Sequence, residues 1–143
     1  MSARTTGTFT FRDWQEKTLT TWGAPPAGPG GEGPRLAHAG VTNSFTGGIE
    51  APATTCEYTI TYVTARAGTF TGMQVLTGRL DGREGTFVAE ERGGFGEDGI
   101  VRCTFEVVPG SGTGALRGLR GTGTYVARPG APSVEYAFTY ELG

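Results

Sequence analysis

Hydrophobic and polar side chains alternate with a period of two along much of the chain. In the segment 56–62, Cys56, Tyr58, Ile60 and Tyr62 alternate with glutamate and threonine residues. Similar alternation occurs in the segments 7–14, 86–91, 99–108 and 133–142. This period is typical of strands with one buried face, whereas the spacing of an amphipathic helix never persists over several turns. The pattern therefore predicts an all-β protein.

Turn signals divide the chain into about eight strands. The predicted strands lie near 6–14, 38–49, 54–64, 69–80, 84–92, 99–109, 119–128 and 132–142. The pair Asp81-Gly82 is typical of a type I′ hairpin, and the sequence GEDG at 96–99 indicates another tight turn. The glycine-rich segment 109–123 suits bulges and close backbone approach. Since short connections suit a meander and closure removes exposed edges, we expect one domain over 1–143, an eight-stranded antiparallel barrel. A two-sheet sandwich is the alternative.

One segment is incompatible with regular structure. Residues 23–34 contain four prolines and five glycines. This composition excludes a helix or a strand there. The segment is either a surface loop or a lid over a barrel mouth, with Trp22 as its apolar anchor.

Two polar residues fall on strand faces that are otherwise apolar. They are Gln74 in the predicted strand 69–80 and Glu91 in the next one. If the hairpin turn at 81–82 sets the register, Gln74 lies opposite Ala89 and Glu91 opposite Gly72. The two polar residues are then diagonal neighbours, close enough to share a site.

A carboxyl group turned into an apolar interior has a raised pKa and can act as a general acid or base. Glu91 is therefore a candidate catalytic residue, and Gln74 a candidate hydrogen-bond donor to a substrate carbonyl. The alternative for Glu91 is a place beyond the strand end, at the solvated rim of the barrel. Both interpretations stay open at this point.

Aromatic residues on the apolar faces suggest a ligand pocket inside the barrel. Buried tyrosines combine ring area with a hydroxyl that needs a partner, which suits a polyene, aromatic or polyketide-like ligand. Packing in an ordinary core, with hydroxyls reaching the barrel ends, is the alternative. The predicted substrate-binding residues are Tyr58, Tyr62, Phe87, Phe105, Tyr136, Tyr140 and Trp22.

Composition and charge exclude several classes of function. The net charge is −2, lysine occurs once, and no basic cluster is present, so we expect no nucleic-acid partner. The chain has no apolar run long enough for a membrane helix and no signal-peptide pattern at its start, which predicts a cytoplasmic protein. The single histidine, His38, and the lack of a CxxC pair predict no metal site.

Two cysteines, Cys56 and Cys103, fall inside predicted strands. In a reducing compartment they are interpreted as small buried thiols. A disulfide is the alternative, and it requires that the two strands approach each other closely.

Four stretches together resemble the bacterial domain-of-unknown-function family 3224. The most specific of them is the last, and the resemblance covers nearly the whole chain. The stretches are GTFTFRDW, FTGGIEA, FTGMQVLTGRLDGREGTFV and VVPGSGTGALRGLRGTGTY. The resemblance implies an allene-oxide-cyclase-type barrel, with eight antiparallel strands around an interior cavity and no agreed activity.

Two features of the chain depart from the pattern of that family. A Glu-Arg pair often stands where this chain has Gln74 and Val75, and a histidine often stands at the position of Glu91. Both inward positions nevertheless stay polar, which is typical of ligand-facing positions that vary with the ligand.

Barrels similar to this family include plant allene oxide cyclases and actinobacterial cyclases that close polyketide rings, including by Diels–Alder reaction. The resemblance implies a small-molecule cyclase or isomerase of bacterial secondary metabolism, which uses no cofactor. The alternative is a lipocalin-like protein that binds or sequesters a hydrophobic metabolite. Because related barrels associate, a homodimer is a further expectation.

Overall fold

Eight antiparallel strands, joined in chain order, close into a barrel. The computed structural model describes residues 2–23 and 33–142. Each strand pairs with the next one along the chain, and β1 pairs with β8. The strands are β1 (Ala3–Thr21), β2 (Arg35–Gly47), β3 (Ile49–Tyr62), β4 (Gly68–Leu80), β5 (Arg83–Phe95), β6 (Val101–Val107), β7 (Arg120–Ala127) and β8 (Val134–Glu141). The predicted all-β barrel is confirmed, and the alternative of a sandwich is wrong.

Strand β1 is much longer than the alternation predicted. Its pairing with β2 continues past a register shift between Arg12 and Gln15, where Asp13 has a φ of 60°. Such a bulge lets the strand bend and continue. Within β1, Phe9 is the one buried residue, and Phe11, which the alternation placed on the same face, is 62% exposed. The sequence pattern therefore predicted the middle of β1 and missed both of its ends.

The hairpin between β4 and β5 has the predicted register. Asp81 and Gly82 both have positive φ, 47° and 85°, as a type I′ turn requires. The pairing runs without a shift from Leu80 opposite Arg83 to Gly68 opposite Phe95. Gln74 therefore lies opposite Ala89 and Glu91 opposite Gly72, as predicted from the turn.

One end of the barrel is filled by side chains. The connection between β6 and β7 contains a short 3-10 helix, Gly114–Leu116, and buries Leu116 and Leu119. The backbone of this connection packs directly on β5, because a Cβ atom at Gly85 would lie 2.1 Å from the carbonyl oxygen of Thr113. Within the connection itself, a Cβ atom at Gly112 would lie 2.0 Å from the carbonyl oxygen of Leu116, so the close backbone approach predicted for this segment is confirmed there.

Stacked aromatic rings fill the barrel next to this closed end. The ring of Phe138 lies 6.0 Å from that of Phe87, 5.6 Å from that of Phe105 and 5.4 Å from that of Tyr140, centroid to centroid. All four residues are buried. Free space for a ligand must therefore lie towards the opposite end.

Candidate functional site

A cavity of about 440 Å³ lies inside the opposite end of the barrel. Its lining includes Gly99 and residues 128–131, from the β5–β6 and β7–β8 connections, so the cavity lies at the end where these connections meet. Its wall is mostly apolar and aromatic, with contributions from Phe9, Phe70 and Phe95. The volume and the apolar lining suit a small organic molecule.

Glu91 lies in the barrel interior and not at its rim. It is 1% exposed, and its carboxyl group receives hydrogen bonds from four buried side chains, of which the longest is from Cys103 Sγ to Oε1 at 3.8 Å. The Tyr58 hydroxyl donates to Oε1 at 2.9 Å, the Tyr125 hydroxyl donates to the same oxygen at 3.1 Å, and Gln74 Nε2 donates to Oε2 at 2.5 Å. The interpretation of Glu91 as a solvated rim residue is wrong.

Tyr58 and Tyr125 connect the carboxyl group to the cavity. Both tyrosines line the cavity, and their hydroxyl oxygens are 3.1 Å apart. Neither Glu91 nor Gln74 belongs to the cavity lining. On this side, Glu91 therefore reaches the cavity through the two hydroxyls.

Gly72 makes room for one of these tyrosines. It lies between Tyr58 on β3 and Glu91 on β5 in the register of the sheet. A Cβ atom at this position would lie 2.5 Å from Cδ1 of Tyr58. The missing side chain lets the Tyr58 ring lie across β4 and bring its hydroxyl to the carboxyl group.

Beyond Glu91, the hydrogen bonds continue through Gln74 to strands β2 and β3. Gln74 Oε1 accepts a hydrogen bond from Thr54 Oγ1 at 2.6 Å and from Asn43 Nδ2 at 2.8 Å. Thr54 and Asn43 are both buried, and Asn43 lines the cavity. The chain of hydrogen bonds therefore begins and ends at the cavity wall.

Burial shifts the titration of the whole cluster. It raises the pKa of the Glu91 carboxyl above the ordinary value of 4.5, while the hydrogen bonds from Tyr58, Gln74, Tyr125 and Cys103 lower it by less. Burial, with the negative charge of Glu91 as the second cause, raises the pKa of Tyr58 and Tyr125 well above 10. Burial therefore shifts the carboxyl group and both phenols towards their neutral forms.

The protonation state of Glu91 decides what the tyrosines offer to a ligand. Each tyrosine hydroxyl carries one proton. While the carboxylate is ionised, both protons are donated within the group Glu91, Tyr58 and Tyr125. The hydroxyls then present only lone pairs to the cavity. With Glu91 protonated, a third proton is available, and one hydroxyl can donate into the cavity.

The predicted substrate-binding residues divide into two groups. Tyr58 and Tyr62 line the cavity. Phe87 and Phe105 lie in the aromatic stack instead, and the hydroxyls of Tyr136 and Tyr140 are held by Thr46 O and Asp81 respectively. None of these last four belongs to the cavity lining.

Trp22 also lies outside the cavity lining and is 45% exposed. Its backbone N–H donates to the carbonyl oxygen of Pro34 at 3.3 Å. The predicted lid falls mainly on residues 24–32, which lie outside the described residues.

Several site residues were missed from the sequence, and Tyr125, Asn43 and Trp14 show why. Tyr125 follows the period-two pattern of β7 and faces inward, but its partners on β3 and β5 are distant in the chain. Asn43 lies among inward residues of β2, and the signal was the same as for Gln74, a polar side chain on a buried face. Trp14 lines the cavity because of the bulge in β1, which has no sequence signature.

The cysteines are free and buried. Burial raises the pKa of Cys103 to about 12 and raises that of Cys56 further, so both stay neutral thiols. Within the described ranges, no cluster of three or more His, Cys, Asp or Glu residues could hold a metal ion. No helix in that part of the chain is long and apolar enough to cross a membrane.

The fold and the site define a class of small closed barrels in which a buried carboxyl group lies behind two tyrosines at the wall of an apolar cavity. The chain belongs to the family described as "Protein of unknown function (DUF3224)", whose family model matches residues 5–140.

A solved structure supports the same assignment. The chain is similar to a protein of unknown function from the DUF3224 family of Shewanella oneidensis MR-1, with 26% sequence identity and a TM-score of 0.73. The similarity covers 100% of this chain and 99% of that one. Among curated proteins, no match was found.

Proposed function

We propose that the cavity binds a largely hydrophobic small molecule and that the protein isomerises or cyclises it without a cofactor. One observation supports this most strongly. The hydroxyls of Tyr58 and Tyr125, two residues of the cavity wall, donate to the same buried carboxyl oxygen of Glu91. A carboxylic acid kept neutral by burial and linked to tyrosine hydroxyls can stabilise an oxyanion.

The first role of the protein in this proposal is to hold a flexible substrate in a reactive shape. The aromatic wall restricts the conformations of a polyene or polyketide-like chain, and such positioning alone lowers a barrier by as much as about 7–11 kcal/mol in the best cases. Trp14, Tyr62, Phe70 and Phe95 supply this surface.

The second role is hydrogen bonding to the reacting group. A substrate carbonyl next to Tyr58 and Tyr125 would receive a hydrogen bond from one hydroxyl. The protonated carboxyl group of Glu91 would donate its own hydrogen bond to the tyrosine pair from the side away from the cavity. As negative charge develops on the carbonyl oxygen, this hydrogen bond strengthens. The atoms of the substrate are only rearranged, so its mass does not change.

The allene-oxide-cyclase-like character implied by the sequence belongs to this proposal as well. Those barrels are similar in strand number and in having an interior cavity. Secondary metabolism as the setting, a polyketide-like or polyene substrate and a cytoplasmic location all stay predictions from the sequence, as does a homodimer.

Incubating the purified protein with a metabolite extract of its source organism tests the proposal. Untargeted mass spectrometry before and after incubation should show a compound that changes retention at unchanged mass. With Tyr125→Phe, the rate of that change should fall by about 10²–10³, as when an oxyanion donor is lost. Tyr140→Phe, at the closed end, serves as the matched control and should retain the rate.

A carrier is the second candidate, because the carboxyl group does not contact the cavity directly. In that case a metabolite would be retained by the protein and recovered unchanged. If no compound is either converted or retained, both candidate functions are wrong.

A further inference from the structure

Asn43 has a buried oxygen that no described residue satisfies. The residue is 2% exposed, and its Nδ2 donates to Gln74 Oε1 at 2.8 Å. Its Oδ1 has no hydrogen-bond partner within the described part of the chain. Asn43 lines the cavity, its nitrogen is turned to Gln74, and its buried oxygen is therefore the amide atom still free to accept a hydrogen bond.

This orientation of the Asn43 amide is determined by Glu91. The Oε2 atom of Glu91 accepts from Gln74, so Gln74 must present its Nε2 to the carboxyl group. Gln74 Oε1 then faces the other way and accepts from Thr54 and from Asn43. A flipped Asn43 would place two amide oxygens against each other. The free acceptor on this cavity-lining residue therefore follows from a carboxyl group on the far side of Gln74.

A buried acceptor without a partner is destabilising, and native structures contain few of them. A ligand that donates a hydrogen bond here removes that cost, whereas a ligand that lacks a donor leaves it in place. We propose that Asn43 Oδ1 accepts a hydrogen bond from an O–H or N–H group of the ligand. The ligand class is therefore an apolar aromatic or polyene molecule that carries a hydroxyl or amine donor. This inference rests on the proposed function, since it requires that the cavity binds a small molecule.

Two probes that differ in one donor test the inference. We would measure the affinities of 2-naphthol and 2-methoxynaphthalene for the full-length protein by equilibrium dialysis at neutral pH. Their ring systems match, and only the first has an O–H group. We expect 2-naphthol to bind about tenfold more tightly, which corresponds to one hydrogen bond to a buried acceptor.

Substitutions at two positions of β2 test whether Asn43 Oδ1 causes the preference for 2-naphthol. Asn43→Leu has a similar shape without the acceptor, and the affinities of the two probes should become equal within roughly twofold. Val41→Ala is the matched control, since Val41 lines the same cavity on the same strand and has no hydrogen-bonding group. It should shift both affinities alike and leave their ratio unchanged.

A spectroscopic measurement on the unsubstituted protein is independent of any variant. Asn43 is the only asparagine of the sequence, so selective ¹⁵N-asparagine labelling gives a single side-chain amide signal. The signal should shift with 2-naphthol and not with 2-methoxynaphthalene.

The possible results separate this inference from the proposed function. Equal binding of both probes, or a naphthol preference that survives Asn43→Leu, would overturn the role of Asn43 while binding in the cavity stands. If neither probe binds, cavity binding fails for this ligand class and the inference fails with it.

Discussion

Gln74 Nε2 donates a hydrogen bond to Glu91 Oε2 at 2.5 Å, across the diagonal of the β4–β5 hairpin. The two residues are 17 positions apart in the chain and meet because the turn at 81–82 sets the register of the whole pair of strands. Through this contact, the buried carboxyl group of Glu91 orients the amide of Gln74 and, through Gln74, the amide of Asn43.

Replacing Gln74 should therefore destabilise the protein more than an ordinary buried substitution. Gln74→Met leaves Glu91 Oε2, Thr54 Oγ1 and Asn43 Nδ2 without their partner, and each unsatisfied buried group costs about 1–3 kcal/mol. Urea unfolding should show a loss of at least about 2 kcal/mol in the free energy of unfolding. Met73→Gln, on the exposed outer face of the same strand, is the control and should change it by less than about 0.5 kcal/mol. Equal effects of the two substitutions would contradict the structural role of the contact.

The raised pKa of Glu91 predicts a specific pH dependence of stability. In the unfolded chain the carboxyl titrates near 4.5, and in the folded protein it titrates higher. Between these two values the folded state holds a proton that the unfolded state has lost, so the stabilising contribution is complete below pH 4.5 and is lost as pH rises through the folded pKa. The loss has a maximum slope of about 1.4 kcal/mol per pH unit.

Chemical denaturation from pH 4 to pH 8, compared between the wild type and Glu91→Gln, isolates this contribution. The free energy of unfolding of Glu91→Gln should lack this decline with rising pH, whatever its absolute value. Parallel curves for the two proteins would show that Glu91 titrates alike in the folded and unfolded states.

Gly72→Ala should displace the Tyr58 ring from its position across β4. The new Cβ atom would lie 2.5 Å from the Tyr58 ring and 2.3 Å from the carbonyl oxygen of Glu57, so the ring or the strand must move. Overpacking of this kind costs about 1–3 kcal/mol, which thermal or urea unfolding can measure. Gly96→Ala is the matched control, because its Cβ atom meets nothing closer than 3.5 Å. A neutral Gly72→Ala would mean that Tyr58 reaches Glu91 without help from the glycine.

Tyr140 should be important for stability and not for ligand binding. Its hydroxyl donates to Asp81 Oδ2 at 2.5 Å, and its ring stacks on Phe138 at the closed end. Tyr140→Phe should lower the free energy of unfolding by about 1–2 kcal/mol, since a hydrogen bond to a charged group is lost. The affinity for 2-naphthol, measured by equilibrium dialysis, should not change. A weaker affinity would restore Tyr140 to the ligand site that the sequence predicted for it.

The strands, their inward faces and the β4–β5 register could be predicted from the sequence for a local physical reason. A type I′ turn fixes the pairing of the strands that it joins, and alternation fixes which side chains share a face. These two rules are enough to place Gln74 beside Glu91. They could not predict whether Glu91 is buried, because burial near the end of a strand depends on the side chains that other strands pack around it.

Tertiary structure decided everything that depends on closure of the barrel. Tyr125 on β7 reaches Glu91 on β5 and Tyr58 on β3 only because the eight strands curve into one surface, and no local pattern encodes that distance. Closure also decided where free space remains. The 3-10 helix and the aromatic stack around Phe138 fill one half of the barrel, where Tyr136 and Tyr140 are packed. Tyr58 and Tyr62 lie in the other half and line the cavity. The sequence alone determined which side chains point inward, whereas packing between distant strands determined which of them can contact a ligand.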